Sequence, residues 1–291
     1  MPELPDLAIV ADAFQAALAG RPITHAEAPA PLAVRGTPAE LQALVGQTLT
    51  RIRRRGKFIV FDLSRDRIAV NAMLTGRFQL AAPGDKLPQA TAVILRFGPR
   101  TGRAPKPAPW TKGASWLPPA DAEAEIRYRD PSQMGKVYLL PAGVTRPVVA
   151  FEDAEQGPDA DDPSLTLDAW RDRIRRHPGE LKSLLRNQAF IAGIGNAYSD
   201  EILHAAKLSP FRRRSSLAPE EIDGLYVATG TTLAHAIEIL RERVPPTFEK
   251  QVRDFLAVHL RGGEPCPRCG TRLSEVSSRS EATTWCRGCQ R

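Results

Sequence analysis

All four cysteines of this 291-residue chain fall between positions 266 and 291. They form Cys266-x-x-Cys269 and Cys286-x-x-Cys289, with residues 270–285 between the pairs. Each such turn places two thiolates on one ion, and two turns close a tetrahedral four-cysteine zinc site. A closed site keeps no open position, so its single Zn2+ is structural. So short a tail buries little core, and the metal supplies most of its folding energy. Two disulfides are the competing reading. The lack of cysteine anywhere earlier argues against it, and for a reducing cytoplasm.

Three other stretches carry chemistry by residue type. "RIRRRGK" holds Arg51, Arg53, Arg54, Arg55 and Lys57 beside a strand pattern. Strand alternation would aim Arg53, Arg55 and Lys57 to one face. "IAGIGNAYSDEILHAA" places Gly193, Gly195 and Asn196 before a helical pattern. Asn196 reads as an N-cap, and amides at such a helix start can take a phosphate. An ordinary helical turn without a ligand is the plainer reading of that stretch. The opening "MPELPD" sets Pro2 beside Glu3. Taken alone, these are a helix-starting proline and an acid favoured by the helix dipole. The net charge of +7 favours a polyanionic partner, most often nucleic acid.

The elements that must position these residues fall into two regimes. Leu4, Leu7, Val10, Phe14 and Leu18 recur at helical spacing, with Gly20 as a stop. Residues 58–63, 68–70, 92–97 and 135–140 are β-type runs, which predict an antiparallel sheet domain. The Pro- and Gly-rich 98–119 reads as a long mobile loop, and "EDAEQGPDADDPS" as an acidic surface linker. From Leu167 to Leu260 helical patterns dominate, with Pro219-Glu-Glu a good helix start. No apolar run reaches the ~18 residues that a membrane span needs, and no signal peptide opens the chain.

Five stretches in this order resemble the formamidopyrimidine-DNA glycosylase/endonuclease VIII family of base-excision repair enzymes. They are "MPELPD", "RRRGKF", "GPDA", "LKSLLRNQAFIAGIGNAYSDEIL" and "GEPCPRCG…WCRGCQ". The resemblance implies an α+β multidomain fold. Its parts are a β-sandwich catalytic domain with an N-terminal helix (1–150), a linker (151–165), a helix-two-turn-helix DNA-binding domain (166–257) and a zinc ribbon (258–291). It implies damaged DNA as partner, held between two lobes by a cytoplasmic, nucleoid-associated monomer.

The implied activity is that of a DNA glycosylase with abasic-site lyase activity. Loss of Met1 would free the Pro2 ring nitrogen as a secondary amine. An N-terminal amine with a pKa near ~8 has a usable neutral fraction at about pH 7. Its attack on the sugar C1′ forms an iminium, which acidifies C2′ and permits β-elimination, with δ-elimination possible afterwards. Glu3 is then the acid that protonates the opening sugar. Lys57 grips phosphate and has a part in elimination, Asn196 binds phosphate, and Lys182 and Arg55 are basic DNA contacts. Alternatives are a non-catalytic or lyase-only DNA-binding protein on the same scaffold, and an RNA-associated zinc-ribbon protein. A pure binder has no need of a free proline amine.

Several positions depart from the family pattern. "NAMLTG" puts Leu74 where the family uses a Met to fill the space left by a flipped base, and Asn71 where it has His. "DPSQMG" puts Gln133 and Met134 where it has an Arg–Phe wedge. Glu281 falls where its zinc hairpin carries a phosphate-binding Arg, with Arg279 nearby to compensate. The residues for sugar chemistry are kept while those for duplex insertion are changed. An altered lesion or DNA-structure preference is therefore expected.

Overall fold

The computed structural model describes residues 1–102, 106–148, 151, 156–278 and 281–291. Two compact units result. One holds residues 1–149 with 239–252, the other 150–238 with 253–291.

The first unit begins with α1 (Leu4–Leu18). There follow β1 (Ile23–Glu27), β2 (Val34–Arg35), α2 (Pro38–Gln42), β3 (Leu49–Arg55), β4 (Phe58–Leu63), β5 (Arg67–Asn71), β6 (Arg77–Ala81), β7 (Thr91–Phe97), β8 (Ala124–Arg129) and β9 (Lys136–Leu140). The strands form one sheet in the order β1-β7-β8-β6 and a second in the order β2-β9-β5-β4-β3. Phe61, Ile68, Val70, Val137 and Leu139 of the second line a common interior with Phe78, Val93, Leu95, Ile126 and Tyr128 of the first. This is the expected β-sandwich. Alternation is clear only where one strand face is wet. The sequence reading did not single out β1, β2, β6 or β8.

Helix α1 is apolar on nearly every side, and Leu4, Ile9, Ala13, Phe14 and Leu18 are fully buried. Gly20 follows it with φ +82°, a left-handed exit that glycine takes without strain. Its lay is fixed at two points. The backbones of Gly20 and Leu49 bond (2.8 Å), and Gln15 Oε1 accepts the Ile52 N–H (2.5 Å). As the helix number falls the strand number rises, so α1 runs antiparallel to β3.

The described residues of the stretch 98–119 are packed, where a mobile loop was expected. Among its described residues, Trp110 Nε1 donates to Asp12 (3.0 Å) and Thr111 is fully buried. Trp116 meets Phe248 edge-on at 5.4 Å. The buried Arg21 donates to the carbonyls of Pro119 (2.6 Å) and Gly98 (3.2 Å) and so binds both ends of the stretch. Its prolines shorten the unfolded ensemble, and its tryptophans give it something to bury.

The second unit contains α3 (Leu167–Arg176), α4 (Leu181–Arg186), α5 (Asn196–Ala206), most of α6 (Pro219–Arg243), and the hairpin β10 (Ser274–Ser278) with β11 (Glu281–Trp285). The expected surface linker is also corrected in part. Residues 156–160 dock alongside 188–192, through Gly157 N to Gln188 O (2.7 Å) and Ala192 N to Pro158 O (2.8 Å). Gln156, Gly157 and Ala160 are buried.

Two glycines in the first unit have no room for a side chain. A Cβ on Gly135 would overlap the Tyr128 hydroxyl, and one on Gly76 would overlap that hydroxyl and the Ala72 carbonyl. Gly135→Ala should therefore cost about 3 kcal/mol in urea unfolding. The Tyr128 hydroxyl is buried with no hydrogen-bond partner among the described residues. Tyr128→Phe alone should be near neutral, and in the Gly135→Ala background it should recover part of the loss.

Candidate active site and zinc module

The sheet register gathers three loops at one end of the first unit. Phe58 pairs with both Arg55 and Asn71, and Asn71 pairs with Lys136. The Gly56–Lys57 turn, the loop 72–76 and the loop 130–135 therefore leave from one end of the five-stranded sheet. Lys57 lies in the turn after β3, not on the strand, so alternation does not carry it onto the face of Arg53 and Arg55. Arg53 also spends its charge locally, on Asp62 (3.1 Å). Lys57 and Arg55 are both half-buried.

The antiparallel lay of α1 brings the N-terminus to the same end. From Gln15 back to Glu3 the helix travels about 18 Å. From Ile52 forward to Lys57 the strand travels about 17 Å. From that hydrogen bond both paths run about the same distance toward the same end of the sheet. Pro2 is buried there and Glu3 is only 3% exposed. The Glu3 backbone N–H is held by the Asp6 carboxylate (2.8 Å). Pro2 lines a cavity of about 30 Å3 with Asp6, Val10, Arg77, Lys250 and Gln251. Asp6, Arg77 and Gln251 are residues that the sequence reading did not single out. Their spacing carries no signal, because the fold draws them from α1, β6 and the segment after α6.

The loops that carry the changed residues are cross-linked. The Thr75 hydroxyl donates to Asp130 and accepts the Ser132 N–H (3.1 Å), and Asp130 Oδ2 accepts the Gly135 N–H (2.6 Å). Asp130 is 1% exposed and acts as the post. On this frame Leu74 and Met134 stand out at 50% and 43% exposure. Gln133 between them has φ +54°. Asn71 Oδ1 folds back onto the Met73 N–H (3.1 Å), so its side chain builds the turn beneath Leu74.

In the second unit the Gly-Asn turn is set by Gln188. Its amide donates to Ile194 O and accepts from Gly193 N, both at 2.9 Å. Gly195, not Asn196, is the N-cap of α5, and Asn196 is its first helical residue. The reason is visible in its side chain. Nδ2 donates to the carbonyl of Ala282 (2.8 Å), which turns the amide away from the cap position. Its Oδ1 is buried without a partner among the described residues.

Lys182, expected as a basic DNA contact, points inward instead. It is 6% exposed, with Nζ 2.6 Å from Asp200 Oδ1 and 2.8 Å from the same Ala282 carbonyl. Burial lowers its pKa below the usual lysine value, and the adjacent Asp200 opposes that shift. Asp200 also takes His259 Nδ1 (2.8 Å), and Glu201 takes the backbone N–H groups of Ala257, Val258 and His259. Adjacent carboxylates of α5 thus tie α4 and the segment before the cysteines into one buried network. Glu281 is paired with Arg186, which neutralises the carboxylate otherwise repulsive to phosphate. Arg279 lies outside the described residues.

The four sulfur atoms of Cys266, Cys269, Cys286 and Cys289 all lie within 4.8 Å of one another. Ligands roughly 2.3 Å from zinc at tetrahedral corners sit about 3.8 Å apart. Cys266–Cys289 is 3.8 Å and Cys269–Cys286 is 3.4 Å. Burial pushes the Cys289 thiol up to about 12, and hydrogen bonds from Thr271 draw Cys269 down to about 6. Four thiolates at this spacing need a cation between them, so the residues fit one structural Zn2+. His204 Nε2 (3.4 Å from Cys266 Sγ) and Arg268 Nη1 (3.6 Å from Cys289 Sγ) support the sulfurs from outside.

Purified protein should carry one zinc per chain by elemental analysis, and Cys286→Ser should abolish it and lower Tm. Lys182→Met should cost about 3–5 kcal/mol, because Asp200 stays buried without its ammonium partner.

Comparison with known proteins agrees across the chain. The formamidopyrimidine-DNA glycosylase N-terminal domain matches residues 1–137, the H2TH domain of the same enzymes residues 156–244, and the zinc finger found in FPG and IleRS residues 263–291. Formamidopyrimidine-DNA glycosylase of Symbiobacterium thermophilum is 30% identical over 302 residues, covering all of this chain and 89% of that protein. The enzyme of Pelotomaculum thermopropionicum is 29% identical over 299 residues, covering 100% and 99%. The solved structure of Lactococcus lactis Fpg with DNA containing an abasic site shares the fold. Its TM-score is 0.81 at 23% identity, with 99% of each chain covered. Among the described residues no helix is long and apolar enough to cross a membrane. Fold, zinc module and full-length likeness converge, and the chain belongs to the formamidopyrimidine-DNA glycosylase family.

Proposed function

We propose that this base-excision DNA glycosylase attacks damaged nucleotides with the amine of its own Pro2 and then cleaves the strand as a lyase. Removal of Met1 exposes the ring nitrogen. The nitrogen lone pair adds to C1′, the damaged base leaves, and Glu3 delivers a proton to the opening sugar oxygen. The resulting iminium withdraws electrons from C2′. Loss of a C2′ proton then expels the 3′ phosphate, and water hydrolyses the enzyme from the product. Lys57 holds phosphate beside this centre. The observation that carries the reading is the antiparallel lay of α1 on β3, which supports Pro2, Glu3 and Lys57 acting at one place.

Arg55 and Asn196 act as DNA contacts, with Asn196 offering its remaining amide hydrogen to phosphate. The inward ion pair of Lys182 favours a supporting role under Asn196. Leu74, Gln133 and Met134 enter the duplex as a largely apolar set. The enzyme works as a cytoplasmic monomer on damaged DNA. Because Gln133 brings no charge to the opposite strand, the lesion choice is altered and abasic DNA is the best substrate.

Borohydride reduction with abasic duplex should trap a covalent adduct. Pro2→Gly and protein retaining Met1 should give none, with the N-terminus checked by mass spectrometry. No adduct from processed wild type would overturn the lyase reading. Excision of 8-oxoguanine opposite cytosine should be roughly tenfold slower than abasic cleavage. Fast, cytosine-selective 8-oxoguanine removal would overturn the altered preference.

A further inference from the structure

Gln251 sits at the reacting nitrogen. Its Nε2 lies 3.4 Å from the carbonyl oxygen of Met1, and its Oε1 accepts Arg77 Nη2 at 3.0 Å. A guanidinium only donates, so the amide oxygen must face Arg77 and the amide N–H must face Met1. Arg77 is itself held, with Nη1 donating to Gly76 O (2.7 Å) and Leu74 O (3.4 Å). The Gln251 amide is therefore fixed in orientation, in the cavity that Pro2 lines.

The Met1 carbonyl marks a definite place in the chemistry. Its carbon is trigonal and bonded to the Pro2 nitrogen. In the reaction of an abasic aldehyde, C1′ becomes bonded to that same nitrogen. The Met1 carbonyl carbon thus stands in for C1′, and its oxygen stands in for the aldehyde oxygen O1′.

We infer that Gln251 is a catalytic hydrogen-bond donor to O1′ of abasic substrates. This rests on the Pro2 reading. When the Pro2 lone pair forms the N–C1′ bond, the C1′=O1′ π pair moves onto oxygen. A neutral amide N–H aimed at that oxygen stabilises the negative charge as it develops. O1′ then takes up two protons, one from the ammonium formed at Pro2 and one from the Glu3 carboxyl. It leaves as water, and the iminium results. Gln251 gives up no proton at any point. It holds the oxygen in place while Arg77 holds Gln251.

The test is single-turnover borohydride trapping on abasic duplex, using protein whose Met1 removal is confirmed by mass. Gln251→Ala should slow adduct formation about tenfold, with duplex Kd unchanged within about twofold. Gln251→Glu presents a carboxylate to the developing oxyanion and should be slower still at neutral pH. Its rate relative to wild type should rise as the pH falls and that carboxyl protonates, which a merely structural role would not produce. Adduct rates within twofold of wild type in both variants overturn the inference while leaving Pro2 in place. A slow Gln251→Glu whose ratio to wild type stays flat with pH also overturns it. No adduct from processed wild type overturns both.

Discussion

Two hydrogen bonds fix the lay of α1 on β3, and the candidate active site depends on that lay. Gly20 is bonded to Leu49 and Gln15 to Ile52. Had the helix crossed the strand the other way, Pro2 would sit tens of ångströms from Lys57. The buried apolar residues around most of α1 hold the helix against the sheet. A chain terminus is ordinarily the first part of a fold to fray. Here the terminus is anchored because the helix immediately behind it is part of the core.

The two units solve a similar problem with different means. In the first, reactive loops leave from sheet ends, and register alone assembles them. Asp130 and Thr75 then stiffen what the strands deliver. In the second, the helices are joined by the buried Lys182–Asp200 ion pair and by the backbone N–H groups that Glu201 accepts. Such pairs add little net stability compared with apolar packing, but they tolerate few alternative geometries.

Much of this was legible in the sequence. The cysteine spacing is a local signal, and so are the stripe of α1 and the Gly-Asn turn. Family membership rests on motifs scattered through the chain in a fixed order. What failed to read was nonlocal. Trp110 and Trp116 look like loop residues until Asp12 and Phe248 are in view. Lys182 looks like a surface cation until Asp200, one helix later, turns out to lie behind it. Glu281 seems misplaced until Arg186 answers it. Gln251 has no motif at all, and only the cavity beside Pro2 gives it meaning.

The Ala282 carbonyl receives both Lys182 Nζ and Asn196 Nδ2. It belongs to β11, one strand of the hairpin that leads into Cys286. The strand that runs into Cys286 therefore also supplies the acceptor that orients the Asn196 amide. The hairpin thus has two duties, leading the chain into the cysteine cluster and presenting the backbone oxygen on which a neighbouring turn is aligned.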